Sequence, residues 1–423
     1  MQLARILVAA LLLAGAACRN TEPDGGRVLL IGIDGATLRV IEPLLEQGRL
    51  PHLAALANAG TYGPLRSERP LRSPAIWTSI ATGKKREKHG IDGFVRNDKG
   101  RSRLFRSSDR RSHALWNIAS DAGLKVGVVN WWVTFPVEQV SGVMVSDHAI
   151  PGQLEARASL HSASVPQGGA IVHPAEWQTQ IEVLGGDLSS LSGLPDPFAA
   201  EPDSVAYLWQ SLLGDQPGKD ARITRIASRV DERTRPDLLM VFLKGIDPVS
   251  HTLFGYIDPV KIPEGRRPGG EALRAGRDAL FRYYEYTDGL IGHLIRGFGP
   301  DDLVLIVSDH GFEAGPTESN KILTGLHTSS AAQDGILFAR GPGIEAGSKA
   351  SSMTIYDITP TILAWLGLPV GDDMDGAVAS FLERPDSGRV ATHDAEAIGR
   401  ADGRPSGADE DILEDLRALG YIE

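Results

Sequence analysis

Cysteine is almost absent. A single residue, Cys18, stands in a chain of 423, which excludes any internal disulfide and leaves the fold to be held by its core. Basic residues are also in deficit: 43 Lys and Arg face 54 Asp and Glu, a formal charge of -11. That balance argues against a broad nucleic-acid surface. It suits a protein in which bound cations meet an anionic phosphate, so a small charged substrate is expected and a nucleic-acid polymer is not. After residue 18 no stretch is long and apolar enough to span a membrane. Apolar residues, by contrast, are plentiful: 42% hydrophobic against 23% charged excludes a disordered chain and supplies one large domain with an insertion, or two domains.

Residues 1–18 read as a targeting segment and not as part of the fold. Arg5 supplies a positive n-region, residues 6–13 a short apolar h-region, and small residues 14–17 lead to Cys18. The pattern resembles a bacterial lipoprotein signal, although Gly15 stands where such signals usually carry Leu. It implies lipidation of Cys18, membrane contact only through that anchor, and a place on the periplasmic face. Ala14-Gly15-Ala16 also reads as an ordinary cleavage site, which would give a soluble periplasmic or secreted form. Residues 19–26 are a polar linker.

The chemistry gathers at strand ends. LVLIVSDHGF, from Leu303 to Phe312, opens with five leucine or β-branched residues, the composition of a strand buried on both faces, then delivers Asp309, His310 and a turning Gly311. VLLIGIDG repeats the design at residues 28–35 with Asp34, and LLMVFLKGID at residues 238–247 with Asp247. Open α/β sheets place ligands at such carboxyl ends. Taken locally, Asp34 is also a common type of helix cap. His251 lies four residues after Asp247, so one helical turn puts both on a single face, able to grip one ion. With His310 and with His327 in a Gly- and Ser-rich loop, these residues make six N and O ligands, the supply that two divalent ions about 4 Å apart require in phosphoryl transfer.

SPAIWTSIATG, residues 73–83, places Ser73 before Pro74 at a helix start. By local mechanics Ser73 is an N-cap; its hydroxyl would also sit where free backbone N–H groups favour phosphate. Thr78 and Ser79, further into the helix, face its side. His113 falls in the first turn of a helix capped by Ser112 and is expected on the surface, not as a ligand. Trp131 and Trp132 follow the strand at 125–130 and read as packing or as a cleft wall. Residues 151–235 degrade into Gly, Ser and Pro clusters with helices expected at 203–213 and 220–230, the pattern of an inserted cap. A long amphipathic helix at 271–298 returns the chain to Leu303.

GIDG, SPAIWTSIATG with KHGI, GIDPVSH, SDHG and GLH, in that order, resemble the type I phosphodiesterase and nucleotide pyrophosphatase family of the alkaline phosphatase superfamily, over residues 28–379. A weaker match falls on a terminal helix at 409–419. The resemblance implies an α/β fold: a three-layer α/β/α sandwich with a mostly parallel central sheet. Its core would be residues 27–150 and 236–383, its cap 151–235 and its tail 384–423. It implies two divalent ions, zinc or else manganese, one held by Asp247, His251 and His327 and the other by Asp34, Asp309 and His310. Ser73, where the family usually has Thr, would be the nucleophile, forming a phosphoseryl intermediate on a small phosphorylated substrate. Phe94 departs from the family: it stands where an Asn would bind a phosphate oxygen, so that role is either missing here or taken by another residue such as Lys84 or Asn97. Ser73-Pro74 lacks the following arginine of the sulfatase motif. Phosphomonoesterase and phosphotransferase or mutase activities are alternatives at the same site, and a non-catalytic exported metal-binding protein is another.

Overall fold

The computed structural model describes residues 26–394 apart from 99–100, 151–168, 187–190, 192, 200–206, 262–263, 268 and 316–323. Cys18, the targeting segment, the linker to residue 25 and the expected terminal helix lie outside the described residues.

Ten strands form the main sheet. In chain order they are β1 (Val28–Ile33), β2 (Thr61–Arg66), β3 (Val126–Val129), β4 (Gly142–Val145), β5 (Val172–His173), β6 (Leu238–Leu243), β7 (Leu303–Val307), β8 (Asp334–Arg340), β9 (Ser348–Lys349) and β10 (Met353–Thr354). Across the sheet the order is β9-β2-β8-β7-β1-β6-β3-β4-β5, with β10 beside β2. Pairing is parallel except where β8 meets β2 and β7 and where β5 meets β4. The centre belongs to β7, β1 and β6, the three apolar runs that end in a carboxylate, every residue of them buried.

Helices cover both faces, and alternation along β1 separates two cores. Val28 and Leu30 join one core with α3 (Ser73–Thr82), α4 (Leu115–Asp121) and α8 (Ile358–Trp365). Leu29, Ile31 and Ile33 join the other, with α1 (Leu38–Glu46), α2 (Pro51–Ala59), α5 (Gln216–Thr234), α6 (Ile246–Leu253) and α7 (Gly270–Ile295). This is the three-layer α/β/α sandwich with a mostly parallel sheet. Burial on both faces explains why the central strands read as continuous apolar runs and not as alternation.

Two expected boundaries move. β5 extends the sheet, and α5 buries Ile223, Ile226, Ala227 and Val230 in the core shared with β6, so the end of the stretch 151–235 belongs to the sandwich. The tail does not begin at 384: Arg389–Val390 pairs with Val370–Gly371, and Asp394 reaches back to Lys84 and His113.

Candidate active site

Register brings the site together. Ile33 lies opposite Leu243 and Gly32 opposite Val307, so the chain leaves three neighbouring parallel strands at one edge, where Asp34, Asp247 and Asp309 follow. Asp34 caps nothing: the cap of α1 is Thr37, whose hydroxyl accepts from the Arg39 N–H. Asp309 Oδ1 accepts the Gly35 N–H at 3.2 Å, which ties the β7 turn to the β1 turn. Asp247 stands in the first turn of α6, and His251, one turn on, brings Nε2 to 3.5 Å from Asp247 Oδ1.

His327 arrives on a hairpin formed by Glu313–Ala314 and Gly325–Leu326. Gly325 is required there, since a Cβ would lie 2.1 Å from the carbonyl oxygen of Ser250. That close passage lets the Gly325 carbonyl meet His251 Nδ1 at 3.1 Å, and Gly311 O meets His310 Nδ1 at 3.0 Å. With each Nδ1–H donated to a carbonyl, both imidazoles turn a lone pair at Nε2 toward the site, the usual arrangement behind a metal-binding histidine.

The donors converge. Ligand atoms of Asp34, Asp309 and His310 lie within 4.8 Å of one another, and so do those of Asp247, His310 and His327. His251 Nε2 and His327 Nε2 are 3.2 Å apart, close to the roughly 3.3 Å edge of a tetrahedral zinc–nitrogen shell. His310 stacks on His327 with centroids 4.1 Å apart, so the two groups of donors adjoin. Asp309 Oδ2 and His310 Nε2 are buried with no hydrogen-bond partner among the described residues, a state that a cation would relieve. The all N and O donor set fits divalent ions.

Electrostatics tell the same story. Burial, with the Asp309 and Asp247 carboxylates, raises the Asp34 pKa well above the usual range, and burial raises that of Asp309. Burial lowers His251, while burial and the facing His310 and His251 hold His327 well below the ordinary histidine value. Three buried carboxylates crowded at one sheet edge repel one another until positive charge is supplied.

Ser73 is not a cap. Arg72 holds that position, Ser73 is the first residue of α3, and its buried Oγ donates to Asp34 Oδ1 at 3.3 Å. Its rivals are engaged elsewhere: Thr78 Oγ1 donates to Pro74 O, and Ser79 Oγ meets Glu68 and His89.

All six expected ligands and Ser73 are therefore gathered at one edge; the three expected phosphate-contacting positions are not. Lys84 lies beyond the far end of α3, buried, with its ammonium 2.6 Å from Asp373 and 2.7 Å from Asp394, so its charge is already matched. Asn97 is exposed on the Val95–Asp98 and Arg101–Leu104 hairpin. Phe94 is buried edge-on against Trp132 and has no polar atom to offer. His113 is buried, not on the surface, its ring 3.5 Å from Asp394. Trp131 packs between Trp77 and Phe242.

The type I phosphodiesterase / nucleotide pyrophosphatase family model matches residues 28–354. The chain belongs to that family. Its members are phosphoester hydrolases, and the matched range contains Ser73 and all six metal-ligand candidates. No curated protein matches the sequence. Among solved structures, wild-type alkaline phosphatase PafA superposes with a TM-score of 0.58 at 12% identity, over 85% of this chain and 99% of that one. A 2-O GAG sulfatase does so at 0.51 and 12%, over 84% and 73%. These likenesses establish the alkaline phosphatase-like fold.

One residue of this phosphodiesterase-family site escapes the motifs. Lys244, between β6 and α6, is half-buried, with Nζ 5.1 Å from the centre of the Trp132 ring. Burial lowers its pKa while Asp247 and Asp34 oppose that shift. The signal was present in the sequence, as a charged residue directly after a buried apolar strand.

Proposed function

We propose that this chain hydrolyses phosphoesters at a two-metal site with Ser73 as nucleophile, using the metal-assisted chemistry of the phosphodiesterase and nucleotide pyrophosphatase family and leaving open whether the ester is a diester or a monoester. The observation that carries the reading is the Ser73 hydroxyl, free of any capping role and held 3.3 Å from Asp34 beside convergent Asp and His donors. Asp34, Asp309 and His310 would hold one ion, and Asp247, His251 and His327 the other. When bound, two divalent ions, zinc or else manganese, supply the positive charge that lowers the hydroxyl pKa and stabilises the entering and leaving oxygens.

Ser73 gives up its proton to solvent and Oγ forms a bond to phosphorus as the bond to the leaving oxygen breaks, and that oxygen takes a proton back from water. Water then attacks phosphorus, the Oγ–P bond breaks, and Ser73 regains its proton as phosphate or its monoester departs. The backbone N–H groups left free at the start of α3, where Ser73 stands, would favour the anion. Targeting through residues 1–18, with a lipid on Cys18 holding the chain at the periplasmic face, belongs to the same proposal.

Purified protein is expected to carry close to two divalent ions and to lose hydrolysis of a nitrophenyl ester on chelation. Ser73→Ala should lower turnover by several orders of magnitude with metal content unchanged, while Thr78→Ala costs only packing. Full activity without metal, or a larger loss from Thr78→Ala, would overturn the assignment.

A further inference from the structure

The same strand end that leads to Asp247 presents a cation to the nucleophile's side of the sheet. Ile33 is paired with Leu243, and the Asp34 N–H donates to Leu243 O at 3.0 Å, so Asp34 and Lys244 emerge side by side from adjacent parallel strands. Gly32 and Phe242, two residues earlier on each strand, both meet Trp77 of α3. Alternation puts residues 34 and 244 on that face as well. It is the face that carries Ser73, which already touches Asp34.

The lysine is mounted firmly. Asp220 Oδ1 accepts the backbone N–H of Lys244 at 3.2 Å, and its other oxygen accepts from Gly245 and from the Tyr283 hydroxyl at 3.1 and 3.0 Å. Among the described residues its ammonium makes no ion pair or hydrogen bond; it lies over the face of Trp132, 5.1 Å from the ring centre. Lys84 differs, since two carboxylates hold it. Behind Trp132 stands Phe94, centroids 5.8 Å apart, so this wall offers no side-chain donor, and the charge beside it is Lys244.

Resting on the phosphoester reading above, we propose that Lys244 binds a nonbridging phosphoryl oxygen and makes phosphate monoesters the preferred substrates. A monoester dianion leaves three oxygens and one more negative charge at phosphorus than a diester monoanion. An additional fixed cation beside the nucleophile favours the dianion in the ground state and at the transition state.

The test uses metal-loaded full-length protein, nitrophenyl phosphate as monoester, bis-nitrophenyl phosphate as diester, and inorganic phosphate as a binding probe measured by calorimetry. Wild type is expected to favour the monoester in kcat/KM. Lys244→Met, which keeps the packing on Trp132, is expected to lose about 100-fold on the monoester and under about 10-fold on the diester, and to bind phosphate more weakly at unchanged metal content. Lys244→Arg should recover part of both. Equal losses on the two esters with unchanged phosphate affinity, or a wild type that prefers the diester, would overturn the proposal, and the second measurement does not depend on the variant folding. If wild type cleaves neither ester but Lys244→Met still weakens phosphate binding, the subsite stands and the hydrolase reading falls.

Discussion

His89, in the KHGI motif, shows how much one buried side chain can decide. Its Nδ1 accepts the Ile91 N–H at 3.2 Å, so Nε2 carries the proton toward Ser79 Oγ at 3.0 Å. The ring is neutral and fully enclosed; burial, reinforced by Arg110 and Arg86, lowers its pKa to about 3. Between that value and the unfolded one near 6.5, the unfolded chain binds the proton and the folded chain does not. Stability is therefore complete above about pH 6.5 and falls as pH drops toward 3, by roughly 5 kcal/mol in total. Asp220 acts in the opposite sense: burial raises it to about 6, so it destabilises the fold as pH rises from about 4 to 6. The comparison of wild type with His89→Gln isolates the histidine. Thermal midpoints should converge at low pH, and an identical pH slope in the two proteins would refute the account. At this scale, residue type was readable and state was not: Ser73 read as a cap because the Ser-Pro start can sit one position earlier or later, and a one-residue shift turns a capping hydroxyl into a free one.

At the level of elements, the seating of α3 on β1 governs the distance between Ser73 and Asp34. Gly32 makes that seating close, since a Cβ there would lie 2.6 Å from the Trp77 ring, itself pinned by Trp131 and Phe242. Gly32→Ala should cost about 1–3 kcal/mol through overpacking and should lower turnover more than it lowers metal content, because α3 must shift with Trp77. Melting and single-turnover measurements check this; a variant with wild-type stability and rate would show that the contact relaxes freely. The central strands and α7 were legible because five or six apolar residues, or a sustained amphipathic pattern, admit few other readings. α5 was obscured by the Gly, Ser and Pro clusters before it, which made a core helix look like part of an insertion. Lys244 carries no motif of its own, since cation-binding chemistry singles out Asp and His, and only strand register places a lysine beside Asp34.

At the scale of the molecule, residues 370–394 fasten one side of the sandwich. Asp394 and Asp373 share Lys84, and the backbone N–H of His113 donates to Asp394, so residues 370–394 clamp the ends of α3 and α4. Burial would raise the Asp394 pKa, but hydrogen bonds from His113 and Lys84 outweigh it and hold the group far below the usual range. The first 25 residues lie outside the described fold, and the export proposal is tested there. Cys18→Ser should abolish labelling by a lipid precursor and move the activity from the membrane to the soluble fraction. Soluble, unlabelled wild-type protein would instead support cleavage after Ala16.

The sheet order has a bearing on synthesis. β1, β6 and β7 are neighbours in space, yet the carboxylates at their ends sit at positions 34, 247 and 309, and the last histidine of the cluster at 327. A chain emerging from the ribosome presents Ser73 early and His327 only after about three quarters of its length. No early fragment holds all the side chains that converge at this sheet edge, so the site is assembled only when the central sheet closes.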